Sequence, residues 1–190
     1  MAISTVTIAN RTLQKLGARR IAALDDVNDP NARSINNAYD TVLTAELRRY
    51  AWSFAISRAS IAADATDSLW GGWNRFRLPN DFIRLIRDDE SGFQVDFKIE
   101  GNFILSANAS PLEIRYIAKI DDPNLYDSLF IESFASKLGI ECCTEITQSS
   151  TAKQDLKEDY AFAINEAKRV GSIEKEAQNF PEDEWITVRF

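Results

Sequence analysis

Apolar residues in the first quarter of the chain recur every three to four positions, a spacing that predicts helices. Residues 4–16 form the first. Ser4 is placed to cap it, Ile8, Leu13 and Leu16 supply its apolar positions, and Gly17 stands where a left-handed C-terminal cap belongs. After the polar turn Asp25-Asp26-Val27-Asn28-Asp29, Pro30 opens a longer helix over residues 30–52. Ala32, Ile35, Tyr39, Val42, Glu46 and Arg49 trace one line along this helix. Ile35, Ala38, Val42, Leu43, Leu47 and Tyr50 make its apolar stripe. At ~1.5 Å of rise per residue such a strut spans on the order of 30 Å.

The period then falls to two. The charged end Arg48-Arg49-Tyr50 runs straight into Ala51-Trp52-Ser53-Phe54-Ala55. Phe54, Ile56, Ala59 and Ile61 share a face only if the strand carries an irregularity. Phe76 and Leu78 alternate cleanly, and a further strand starts near Phe82, after Pro79-Asn80-Asp81. Val95, Phe97 and Ile99, the turn Glu100-Gly101-Asn102, and Phe103-Ile104-Leu105 together predict a hairpin. Leu112, Ile114, Tyr116 and Ala118 close the region as one more strand. Short strands without intervening helices imply an antiparallel sheet, not a nucleotide-binding α/β unit.

Helical spacing returns after Asp121-Asp122-Pro123. Leu125, Leu129, Phe130, Phe134, Leu138 and Cys142 predict a helix over 125–147. Ser149-Ser150-Thr151 offers caps for the next, whose stripe is Leu156, Tyr160, Ala163, Ile164, Ala167 and Val170 and which runs past Gly171 towards Ala177. The expected fold class is α+β: an antiparallel four-helix body with an inserted small antiparallel β-sheet and an extended C-terminal arm. The corresponding divisions are 1–52 and 121–177 for the two helical pairs, 53–120 for the β region, and 178–190 for the arm.

Composition narrows the function. The chain has 190 residues, 22 Lys+Arg against 29 Asp+Glu, a formal net charge of -7 and no histidine. The acidic balance argues against tight non-specific nucleic-acid binding, which works by neutralising phosphates. Lack of histidine removes the commonest general base, metal ligand and pH switch, so neither an enzyme nor a metal or other cofactor is expected. No segment has the length and apolarity of a membrane span, and no basic-then-apolar leader opens the chain, so direct membrane contact is not expected. Adjacent Cys142 and Cys143 point in different directions on a helix and are expected as buried free thiols.

Glu141 and Glu145 lie on one helix face at i, i+4, but carboxylate acid–base work needs two acids across a cleft, one of them held protonated. Solvated surface is the preferred reading. Asp88-Asp89-Glu90 lacks the ligand spacing of a calcium loop, Gly71-Gly72 lacks the Lys and Ser/Thr of a phosphate-binding loop, and Cys142 has no histidine to activate it. Arg48, Arg49, Arg75, Arg77, Arg84 and Arg87 cluster around the helix-to-sheet junction. They suit either a phosphate-contacting strip or, preferably, charge contacts with acids of a neighbouring helix or subunit. Trp52, Trp70 and Trp73 beside them are expected as core or interface anchors. Finally, Pro181 and Glu182-Asp183-Glu184 precede Trp185-Ile186-Thr187-Val188-Arg189-Phe190. An apolar, β-prone segment there either folds back on its own body or docks into a partner as a short strand, and docking is preferred.

The order of these pieces resembles the tail tubular protein A, or head-to-tail adaptor (connector), family of short-tailed bacteriophages. The resemblance is carried by Leu13-Gln14-Lys15-Leu16-Gly17, Ile21-Ala22-Ala23-Leu24-Asp25-Asp26, Tyr39-Asp40, Leu47, Trp52-Ser53-Phe54-Ala55 with Arg58, Gly72-Trp73, Leu78-Pro79-Asn80-Asp81-Phe82-Ile83-Arg84 and Asp122-Pro123. It covers most of the chain and implies structure without catalytic residues. The implied role is a virion structural protein assembled in the host cytoplasm into the tail or neck, as a homo-oligomeric, dodecameric ring. That ring sits between the portal protein and a tail nozzle of the tail tubular protein B kind, with double-stranded DNA passing through its lumen unbound. Trp52, Phe54, Leu78, Pro79 and Phe82 would form the helix–sheet junction, and Trp185, Ile186, Val188 and Phe190 a portal-docking arm. A tail-associated glycan hydrolase using paired carboxylates and a DNA-binding assembly factor are the alternatives.

Overall fold

A computed structural model describes residues 2–64, 72–86 and 97–173 of the chain. The described residues form four helices and two small antiparallel three-stranded sheets, an α+β fold. Helix α1 (Thr5–Lys15) starts on Ser4, whose Oγ accepts from the Thr7 N–H at 3.2 Å. It ends at Gly17, which takes φ +67°, while the Gly17 and Ala18 N–H groups return to the Gln14 and Leu13 carbonyls. Helix α2 (Pro30–Arg49) is capped by Asp29, whose carboxylate accepts from the Asn31 N–H at 2.8 Å and is held below its ordinary pKa chiefly by that bond. The backbone becomes extended at Tyr50, so α2 stops short of Trp52 and the expected helix over 30–52 loses its last turn.

Helix α3 (Ser128–Ile146) starts on Asp127, three residues later than the apolar spacing suggests, because Pro123–Leu125 closes instead into a 3-10 turn. That leaves Leu125 more than half exposed instead of in the stripe assigned to it. Helix α4 (Ser150–Ile173) continues through Gly171 as expected; its predicted extension to Ala177 lies outside the described residues. Helix α3 packs against α1, α2 and α4. Its Phe130, Phe134 and Leu138 are fully buried with Ile8, Leu13, Ile35 and Leu47 in one core. Cys142 and Cys143 are free and buried, and burial pushes the Cys142 thiol up.

One expected sheet proves to be two. Strands β1 (Ile56–Ile61), β6 (Leu112–Ala118) and β3 (Phe82–Leu85) form one in that order, and β2 (Asn74–Arg77), β5 (Phe103–Ser106) and β4 (Phe97–Glu100) the other. The β4–β5 hairpin turns at Gly101, φ +58°, where the sequence places it; Val95, its predicted first residue, lies outside the described residues. An isolated bridge between Ala63 and Phe76 links the two sheets. The mid-strand irregularity expected between Phe54 and Ile61 is not there: β1 pairs with β6 in unbroken register, and Phe54 lies ahead of it in a 3-10 turn, Ser53–Ala55.

The β1–β6–β3 sheet is covered on both faces. Ile83 and Ile117 join the helical core, while Leu112, Ile114 and Tyr116 join Phe76, Leu78 and Ile104 of the second sheet in a separate core. Strand β6 is therefore apolar beyond simple alternation towards its end, as a strand buried on both sides should be.

Candidate functional site: the helix–sheet joint and its arginine-lined groove

The C-terminal end of α2 meets strand β3, and its Arg48 lines a groove that the second sheet also borders. On one side of that helix end, Trp52 is buried and donates its indole N–H to the Glu46 carbonyl at 3.0 Å. Its ring meets Tyr50 and Phe130 edge-on at 5.1 and 5.0 Å and lies parallel to Phe54 at 6.2 Å. Phe54 continues the cluster to Tyr126 at 5.6 Å. Trp52 and Phe54 thus pack the segment that follows α2 against α3, where the sequence suggests a seat against the sheet.

The junction residues Leu78, Pro79 and Phe82 also come together. The Phe82 N–H returns to the Pro79 carbonyl at 3.1 Å, closing a turn from β2 into β3, and Leu78 N–H bonds the Asn102 carbonyl at 2.9 Å. Asp81 in that turn accepts from the Tyr116 hydroxyl at 3.1 Å, and its carbonyl accepts from the Lys119 N–H at 2.7 Å. Phe82 stacks on Tyr116 at 5.7 Å. One short turn therefore ties the second sheet to the first. Burial and the Asp81 carboxylate together raise the Tyr116 pKa.

The five arginines divide. Arg48 donates Nη1 to the Ile83 carbonyl at 2.6 Å, Arg49 pairs with Glu46 at 3.5 Å, and Arg75 pairs with Asp64 at 3.7 Å and covers the Phe103 ring at 3.9 Å. Three of the guanidiniums expected to meet acids of a neighbouring helix or subunit thus have partners within the chain: a β3 carbonyl for Arg48, an acid one turn back on α2 for Arg49, and Asp64 for Arg75. Arg77 and Arg84 make no ion pair among the described residues, and the half-buried Arg84 leaves its Nε without a partner. Arg48, Arg77 and Arg84 line a groove of about 530 Å³ between β3, the Leu78–Phe82 turn and the β4–β5 hairpin. Its other described walls are apolar or amide, including Leu78, Pro79 and the exposed Ile99, and none is a carboxylate.

Sequence reasoning missed the role of Glu46. It is buried, accepts from the Tyr160 hydroxyl at 2.8 Å, and so ties α4 to α2, with Arg49 over the Tyr160 ring at 5.6 Å. The signal was present: a carboxylate interrupts the Ala32–Tyr39–Arg49 line of α2. Equally unannounced is a two-pronged Arg11–Glu132 pair at 2.8 and 3.0 Å between α1 and α3.

Glu141 and Glu145 stay apart from any cleft. Lys137 lies 2.8 Å from Glu141 and holds its pKa below the ordinary range, opposite to a general acid, and Glu145 accepts from Ser34 at 2.6 Å. No cluster of His, Cys, Asp and Glu among the described residues could hold a metal, and no helix among them is long and apolar enough to cross a membrane. Trp70, Gly71, Arg87, Asp88-Asp89-Glu90 and the segment carrying Trp185, Ile186, Val188 and Phe190 lie outside the described residues. No known family model matches the chain, and no curated protein matches it either.

Proposed function

We propose that the chain is a head–tail adaptor of a short-tailed phage virion: a ring-forming structural protein between portal and tail nozzle that serves tail assembly, genome retention and DNA passage during ejection. The observation that supports this reading best is the joint. A long strut helix ends in an aromatic cluster, and a single turn, Leu78–Phe82, ties its neighbouring sheet to a second one. Such a joint transmits load between a helical body and a β unit, which is the work of a connector. In this reading α1–α4 are a four-helix body forming the ring wall, the sheets face the next ring, and 178–190 are an arm reaching the portal. The net charge of -7 suits a lumen that DNA slides through without sticking.

Particle imaging and native mass spectrometry of the chain mixed with the portal test the reading. A subunit assembled on a template is a monomer without it, so the mixture decides. A closed ring on the portal, dodecameric in the resembled family, is the expected result. Deleting residues 181–190 should leave the chain folded and abolish co-sedimentation. A full-length chain that never co-sediments with portal sinks the adaptor reading, and undiminished co-sedimentation of the deletion sinks the arm.

A further inference from the structure

The groove is a cationic site in an acidic protein. Arg77 and Arg84 face no carboxylate among the described residues, and the buried Arg84 Nε lacks the acceptor that such a donor ordinarily has. Beside them are apolar walls, with Ile99 45% exposed at the rim. Strands β3 and β4 stand at the edges of their sheets among the described residues, with Arg48 on the Ile83 carbonyl of β3. A fitting occupant is therefore an extended segment with consecutive acids and alternating large apolar side chains.

The chain contains one that runs directly from the first feature into the second: Glu182-Asp183-Glu184 followed by Trp185-Ile186-Thr187-Val188-Arg189-Phe190. Its point of departure is also close. The end of α4 lies against the end of α2, with the Ser172 hydroxyl 3.0 Å from that of Tyr50, two residues after the groove's Arg48. Eight residues lie between Ile173 and Glu182, a reach of up to about 30 Å when extended. Over so short a tether the cost of closure is small and the effective concentration is high, on the order of millimolar.

We propose that this groove is the seat of residues 182–190 of the same chain, acids on the arginines and apolar residues against Leu78, Pro79 and Ile99. The inference does not rest on the adaptor reading. If both hold, arm docking on a portal is an exchange of one seat for another, and portal releases the tail from the groove.

The test is a nitroxide spin label on full-length protein carrying Val188→Cys; Cys142 and Cys143 are buried, so the added thiol takes the label. Amide signals of Leu78, Asn80, Phe97 and Ile99 should broaden while those of α1 stay sharp, at every protein concentration. Neutralising either side should restore them. The variants are Arg77→Gln with Arg84→Gln, and Glu182→Gln with Asp183→Asn and Glu184→Gln. Each should cut the ratio of seated to released tail by roughly threefold to tenfold. Both sets avoid the buried core, and an unchanged melting curve shows that each variant has folded.

Absence of broadening overturns the proposal. So does broadening that appears only between labelled and isotope-enriched copies, which would make the occupant a second chain. A third overturning result is recovery on neutralising Asp88, Asp89 and Glu90 but not the tail acids. Retention of a DNA duplex at about 0.15 M salt, lost in the arginine double variant, would assign the groove to phosphates instead.

Discussion

The two sides of the α2 C-terminus contrast sharply. Towards α3 and α4, the indole of Trp52 donates to the Glu46 carbonyl and the hydroxyl of Tyr160 donates to the Glu46 carboxylate, all three residues being buried or half-buried. Towards the sheets, Arg77 and Arg84 stand without acids among the described residues, and Arg84 leaves a donor unmet there. Unmet buried donors cost stability, so folding alone does not account for the second side. The first side is built to hold the subunit together and the second is left incomplete, as a surface awaiting an acidic partner would be.

The contrast breaks most visibly if the satisfied side proves dispensable. Trp52→Ala removes a 4%-exposed indole from contact with Tyr50, Phe54 and Phe130, and should destabilise the chain by about 3–5 kcal/mol. Chemical denaturation reads this directly, and a midpoint unmoved by the substitution would remove Trp52 from the core. Next in size is Tyr160→Phe. It leaves the Glu46 carboxylate, whose Oε1 has Arg49 at 3.5 Å but accepts no hydrogen bond, without its donor at Oε2, and should cost about 1–3 kcal/mol. A null effect there would mean that α4 is held by its apolar stripe alone, through Leu156, Ile164 and Ala167.

Much of this was legible in the sequence, and the failures share a cause. Ser4, Gly17 and Pro30 marked helix ends through local chemistry, and the structure uses each as expected. The alternation of Leu112, Ile114 and Tyr116 gave β6, but the same pattern could not reveal that Ile117 faces the helices from the opposite side. Division into two sheets depends on which strands pair, and period alone does not encode partners. The arginines show the limit most clearly. As a cluster they were visible, yet what distinguishes Arg48 from Arg84 is a carbonyl of Ile83 that only the fold brings within 2.6 Å. Trp52 and Phe54 were readable as anchors because a large ring next to a helix end has few alternatives to burial.

The smallest effect sharpens the comparison by setting a satisfied arginine against unsatisfied ones. Glu132 is held below its ordinary pKa first by its hydrogen bonds from Arg11, with Lys15 adding to it. A depressed folded-state carboxylate contributes stability above its unfolded value, near 4.3, and loses it as pH falls through the lower folded value. Arg11→Gln should therefore lower stability near neutrality and flatten the decline below about pH 4, by no more than ~1 kcal/mol because both side chains are more than a third exposed. On the seating proposed above, Arg77→Gln should flatten the limb as well, but only in the chain that keeps residues 182–190, since among the described residues no acid pairs with Arg77. Denaturant midpoints of the three proteins across pH 2–7 separate the cases. A limb that Arg77→Gln leaves unchanged would mean that no tail acid is paired in the groove, and flattening that survives in the chain lacking residues 182–190 would assign the pairing to another acid.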